Sequence, residues 1–249
     1  MVKGYWVTRT YLSGMIGEKI KFFVPGEKPS TSRRRLKTEL KKQRWNDQNA
    51  VKRLARIIHA NFEGGKDYLV GMDYSDEYLP EDRAGASKQL RLWLERVRRA
   101  CKKAGVEFRY VCITSDIDGE TGELVRLHHH AIINEEAMEI ALSKWTAGGT
   151  YKSKLDGRPD KTELAQYLMK QVRRDLPEEK KYIPSRNLVH PQPKDRICAG
   201  TAEVKPPRHA MLLHRSEYMP GQPQYIRYIM PEYAKQEAGE DGGGGFREL

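Results

Sequence analysis

The residues predict an α+β chain, and three observations carry that expectation. The stretch 106–134 reads as an antiparallel hairpin: "VEFRYVCITSD" and "ELVRLHHHAIIN" are strand-like runs joined by the turn "IDGETGE". Residues 87–104 read as a helix, because Leu90, Trp93, Leu94, Val97 and Cys101 fall at helical spacing and Gly105 follows as a stop. A separate β-rich run, "DYLVGMDY" (67–74), precedes both.

The remaining elements follow in order. "YWVTRTYL" and "EKIKFFV" are short β-like pieces joined by glycines. A helix is expected over about 31–61, with Leu36, Leu40, Val51, Leu54 and Ile58 as its apolar positions, ended by "GGK" at 64–66. "DEYLPEDRAG" reads as a loop. Asn134 can cap a helix "EEAMEIALSKW" that halts at Gly148 and Gly149. In "RPDKTELAQYLMKQVRRDLP", Asp160 and Glu163 have capping-box spacing, and Leu164, Ala165, Leu168 and Val172 make an apolar stripe. Beyond 176 the chain is proline-rich and loop-like, "PQYIRYIM" (223–230) is a last strand, and "QEAGEDGGGGFREL" has the composition of a disordered tail.

Composition narrows the function classes. The 249 residues carry a net charge of +11, which draws polyanions, nucleic acid above all. The charge is clustered in "RRRLKTELKKQR" (33–44) and "RLWLERVRRACKK" (91–103). Apolar runs of only a few residues exclude a transmembrane helix, so no membrane partner is expected. Three scattered cysteines suit reduced thiols in the cytoplasm. No Walker-type phosphate loop is present, so ATP-driven chemistry is not implied.

Two features carry chemistry. In a strand, residues two apart share a face, so His128 and His130 stand side by side while His129 joins the apolar row of Val125, Leu127, Ala131 and Ile133. Two imidazoles so placed can bind one divalent ion. Asp116 closes the preceding strand and can reach the same face. In the helix that follows, Glu163, Tyr167, Lys170 and Arg174 share a polar face at 100° per residue. A phenol with a pKa near ~10 is favoured as phenolate by a nearby lysine, so Tyr167 is a candidate nucleophile for phosphoryl transfer. Each feature alone is weak: an ordinary surface tyrosine and an incidental histidine pair are the plain alternatives.

Together, "RLHHHAIIN" and "ELAQYLMKQ" resemble the HUH endonuclease superfamily, nearest to single-tyrosine rolling-circle replication initiator proteins of phages and plasmids. Those proteins carry His-hydrophobic-His on a strand and Tyr-x-x-Lys on a later helix. His128 and His130 match the ligand positions, His129 the hydrophobic slot, Tyr167 the nucleophile and Lys170 the helix lysine. "PSRNL" (184–188) also looks like a segment that follows the tyrosine helix in such proteins. The resemblance spans roughly 45–190. Two departures stand out: "TSD" replaces the usual glutamate, leaving Ser115 or Asp116 as third ligand, and Gly71 and Asp73 occupy a usually threonine-rich strand.

The resemblance implies a central antiparallel sheet with flanking helices, related to the RRM and ferredoxin-like arrangement. It implies nicking and joining of single-stranded DNA at an origin hairpin or nick site, through a 5′-phosphotyrosine and Mg2+ or Mn2+ held by His128, His130 and Asp116. Lys170 would assist Tyr167, and Arg174 and Arg186 would contact the DNA backbone. A host helicase is a further partner it allows, and the cytoplasm of a bacterial host the expected location. The expected organisation is β-like pieces and a basic helix (1–61), nuclease core (62–190), an extension packed on the core (191–235) and the tail (236–249). A single-tyrosine transposase or relaxase, or a non-catalytic basic nucleic-acid-binding protein, are the alternatives.

Overall fold

Strands covered on both faces read as nearly continuous apolar runs, and "YLVGM" and "HAII" do so here because helices pack on either side of their sheet. The computed structural model describes residues 4–26, 40–173 and 180–234. The expected helical start at 31–39, Arg174 and the tail at 236–249 lie outside those residues. In chain order the elements are β1 (Gly4–Ser13), β2 (Ile16–Pro25), α1 (Leu40–Asn61), β3 (Tyr68–Asp73), α2 (Arg83–Ala104), β4 (Tyr110–Ile117) and β5 (Leu124–Ile133). Then come α3 (Glu135–Ser143), β6 (Thr150–Lys154), α4 (Thr162–Lys170), β7 (Ile183–Pro184), β8 (Lys194–Cys198), β9 (Met211–Arg215) and β10 (Gln224–Ile229). The chain divides into two units, one from 1–44 with 190–249 and the other from 45–189.

The unit of 45–189 holds an antiparallel sheet in the order β6-β3-β5-β4-β7. Its chain path β3-α2-β4-β5-α3-β6 is the split β-α-β arrangement, so the α+β class with a central antiparallel sheet and flanking helices is what the molecule has. On one face Val70, Met72, Cys112, Ala131 and Ile133 meet Leu90, Trp93, Leu94 and Val97 of α2 and Ala137, Met138 and Ala141 of α3. Trp93 has no exposed surface, and its indole N–H donates to the Ala141 carbonyl at 3.0 Å. On the other face Val111, Ile113 and Ile132 meet Leu54, Ile57 and Ile58 of α1 and Ala165, Leu168 and Met169 of α4.

Several boundaries differ from those the sequence predicts. Helix α2 starts at Arg83 rather than 87, because the Asp82 side chain accepts the Gly85 N–H and caps it. It stops at Gly105, whose φ of 71° is a left-handed conformation glycine adopts without strain. Strand β4 starts at Tyr110 rather than 106. Helix α4 has Lys161, not Asp160, at its N-cap. The Lys161 N–H donates to His59 Nε2 at 2.8 Å and the Asp160 carboxylate accepts the Thr162 N–H at 2.9 Å. Glu163 bonds Arg158 instead of closing a capping box. Strands β6, β8 and β9 have no counterpart in the sequence pattern. All five residues of β6 are exposed, so no apolar alternation marks it, and backbone pairing to β3 alone defines it.

In the other unit the sheet order is β8-β1-β2-β10-β9. The stretch 191–235 thus supplies three strands that pair with or beside β1 and β2. Lys21, wholly buried, donates to the Gly200 and Ala202 carbonyls at 3.0 and 2.8 Å between the rings of Trp6 and Tyr218. Two carbonyls and two aromatic faces offset the cost of burying that ammonium. Among the described residues no helix is long and apolar enough to cross a membrane.

A nine-residue helix is not stable by itself, so α4 is held by its buried stripe of Ala165, Leu168 and Met169. Replacing Leu168 with alanine is expected to lower the unfolding free energy by about 2–4 kcal/mol, measured by urea denaturation.

Candidate active site

Strand β5 lies between β3 and β4, and the pairing places each histidine. His128 stands opposite Asp73 and Ser115, His129 opposite Met72 and Thr114, and His130 opposite Gly71 and Ile113. Directly paired residues share a face. His129 therefore points to the α2 side, where it is fully buried. Its Nε2 lies 2.6 Å from the Tyr74 hydroxyl and its Nδ1 3.0 Å from Thr114 Oγ1, with Trp145 against its ring. Burial pushes its pKa down to about 3, so it is a neutral, satisfied core residue, which is how an imidazole fills an apolar slot.

His128 and His130 share the opposite face, their Nε2 atoms 3.1 Å apart. His128 Nδ1 sits 2.8 Å from the Arg126 carbonyl. A carbonyl only accepts, so in the neutral ring the proton is on Nδ1 and the Nε2 lone pair faces His130. His130 is 3% exposed, and burial first, then His128, pushes its pKa down to about 4. Two imidazole donors bound about 2.1 Å from one octahedral ion, 90° apart, stand about 3.0 Å from each other. The observed separation fits a shared divalent ion as well as it fits a shared proton.

Helix α4 delivers Tyr167 to this pair. Its ring centre is 5.8 Å from that of His130, edge to face, and the residue is 41% exposed. The structure thus brings the strand pair and the helix tyrosine together. Partial burial raises the phenol's pKa. The expected help from Lys170 toward phenolate is not seen, because Lys170 is exposed and water screens its charge. Lys170 instead lines, with Arg173, a groove of about 540 Å³ against the 117–124 turn.

Other expected residues are placed elsewhere. Asp116 does not join the pair. Its Oδ1 accepts from Arg83 at 2.6 Å and its Oδ2 from Arg173 at 3.2 Å. These bonds tie the start of α2 and the segment after α4 to a bulge in β4. Ser115 donates to the Ile117 carbonyl. Among the described residues no group of three His, Cys, Asp or Glu side chains forms a metal cluster. Arg186 lines a cavity with Arg98, Lys102 and Tyr110 beside α2, away from Tyr167. Arg174 is outside the described residues, one position beyond the last described residue after α4.

Sequence reasoning misses two residues. Asp73, exposed, is the carboxylate paired opposite His128. Tyr151 of β6 stands opposite Gly71 and lays its hydroxyl 3.4 Å from His130 Nδ1. A Cβ at Gly71 would fall 1.9 Å from the Tyr151 ring, so glycine there leaves room for it. The one sequence signal is that Gly71 and Asp73 depart from the usual strand pattern; which strands neighbour β5 decides their meaning.

The histidine shifts set a pH dependence. With folded values near 3 and 4 against 6.5 unfolded, both rings are neutral in either state above pH 6.5. Below it the unfolded chain binds protons first, so stability falls from pH 6.5 toward 4, on the order of 2 kcal/mol per histidine. Urea midpoints at pH 7.5 and 4.5 check this, and His130→Gln should flatten the dependence.

No curated protein and no solved structure matches the chain. The stretch from β3 through α4, which holds His128, His130, Tyr151 and Tyr167, is matched at residues 67–176 by a family of replication-associated proteins of the ORF2 type.

Proposed function

We propose that this chain is a rolling-circle replication initiator that nicks and rejoins single-stranded DNA at an origin, with Tyr167 as nucleophile and Mg2+ or Mn2+ held by His128 and His130. The observation that carries this reading is the convergence of two Nε2 atoms 3.1 Å apart with a tyrosine ring 5.8 Å from His130. The match of that stretch to a replication-associated family supports it. Asp73, on the same face, is the carboxylate best placed to complete the ligand set, since both oxygens of Asp116 are taken by arginines.

The bound ion supplies charge withdrawal from the scissile phosphodiester. Tyr167 Oη forms a bond to phosphorus and the bond to the 3′ oxygen breaks. The phenol loses its proton and the leaving oxygen gains one, giving a free 3′-hydroxyl and a 5′-phosphotyrosine. The new ester keeps the bond energy, so the reverse attack rejoins the strand without a nucleotide. Lys170 neutralises phosphate charge beside Tyr167. Arg186, beside α2, would meet only a strand that continues round the molecule.

Incubation with a pool of single-stranded oligonucleotides and Mn2+ should give a covalent adduct mapped by mass spectrometry to Tyr167, undetectable with chelator or in Tyr167→Phe. DNA retention and Mn2+ uptake with no adduct across the pool would instead identify a non-catalytic nucleic-acid-binding protein. Asp73→Asn should weaken Mn2+ binding about tenfold, read by titration calorimetry. Asp116→Asn should leave Mn2+ affinity unchanged and lower stability by about 1–3 kcal/mol, since Arg83 and Arg173 lose their shared counter-charge.

A further inference from the structure

Tyr151 belongs to neither the nucleophile nor the expected ligand set, yet the sheet is shaped around it. Its strand, β6, is an edge of the sheet, and its ring crosses β3 over the one position of that strand without a side chain, Gly71. That crossing carries the hydroxyl to the far nitrogen of His130, 3.4 Å away. His130 therefore has a partner at each nitrogen: Tyr151 Oη at Nδ1 and His128 Nε2 at Nε2.

The two partners differ in what they accept. His128 Nδ1 faces a carbonyl and carries a proton, so its Nε2 is an acceptor. Without a cation, His130 satisfies it by donating from Nε2, and its Nδ1 then accepts from the Tyr151 O–H. With a cation between the rings, His130 Nε2 must be bare. The ring proton then sits on Nδ1 and donates to a lone pair of Tyr151 Oη. A hydroxyl can do both, by rotating its hydrogen. The ring stays neutral throughout: one proton leaves Nε2 and one is gained at Nδ1, by exchange with water.

We propose that Tyr151 is a positioning residue for the metal site, the two-way hydrogen-bond partner that lets His130 change tautomer without turning its ring. This rests on reading His128 and His130 as a metal pair. Backbone carbonyls, as at His128, serve only one tautomer; a hydroxyl serves the empty and the loaded state alike. Outer partners of metal-bound imidazoles commonly set affinity by an order of magnitude or more.

The test uses the full chain with 15N-labelled histidine, a two-bond 15N–1H spectrum and Mn2+ titration. In the wild type, His130 should be the Nε2–H tautomer without metal and the Nδ1–H tautomer after addition of Zn2+ as a diamagnetic probe. Tyr151→Phe keeps the ring and removes only the hydroxyl, so the melting temperature should hold while Mn2+ affinity falls about tenfold. Gly71→Ala, which pushes the ring away, should lose affinity similarly, and adding it to Tyr151→Phe should cost little more. Equal Mn2+ affinity in the wild type and Tyr151→Phe, or a His130 tautomer that metal does not change, overturns the role of Tyr151 and leaves the metal pair standing. A wild type that takes up no metal overturns both.

Discussion

The register of β5 between β3 and β4 is the constraint on which the site depends. Three consecutive histidines have three different fates only because successive side chains leave a strand on opposite faces. A slip by one residue would exchange the faces, burying His128 and His130 and exposing His129 with its two hydroxyl partners unmet. The pairing is held from both sides: on the α2 face by His129 locked to Tyr74 and Thr114, on the other by Ile132 and Ile113 packed under α1 and α4. His129, which does no chemistry in the proposed reaction, is what keeps its neighbours facing outward.

The sheet and the helix meet through different kinds of contact. The histidines are fixed by backbone pairing, which is stiff. Tyr167 rides on a short helix fixed by apolar side chains and by the Asp116 clamp just past its end. Ligands that must keep an ångström-scale spacing sit on the rigid part. The group that must reach out to phosphorus sits on the part with more freedom.

Local patterns make much of this legible. The β4–β5 hairpin, the α2 stripe and the sharing of a face by His128 and His130 follow from the strand and helix periods alone. What the sequence hides depends on neighbours distant along the chain. Strand β6 has no buried residue to announce it. Asp160 has the look of a cap, but His59, 102 residues earlier, takes the adjoining Lys161 N–H. Asp116 has the look of a ligand because its counter-ions lie 33 residues before and 57 residues after it. Asp73 and Tyr151 acquire meaning only once β3 is known to lie between β5 and β6.

The ring of Tyr151 resting on Gly71 also has an evolutionary reading. The two positions occupy one volume, so they are not free to drift independently. A descendant that acquires any side chain at 71 must at the same step, or soon after, give up the aromatic ring at 151 or turn it outward, and one that loses the ring is released from needing glycine. Across an alignment of relatives the pair should therefore change together, glycine with tyrosine and larger residues with something small, even where the histidines and the helix tyrosine stay constant.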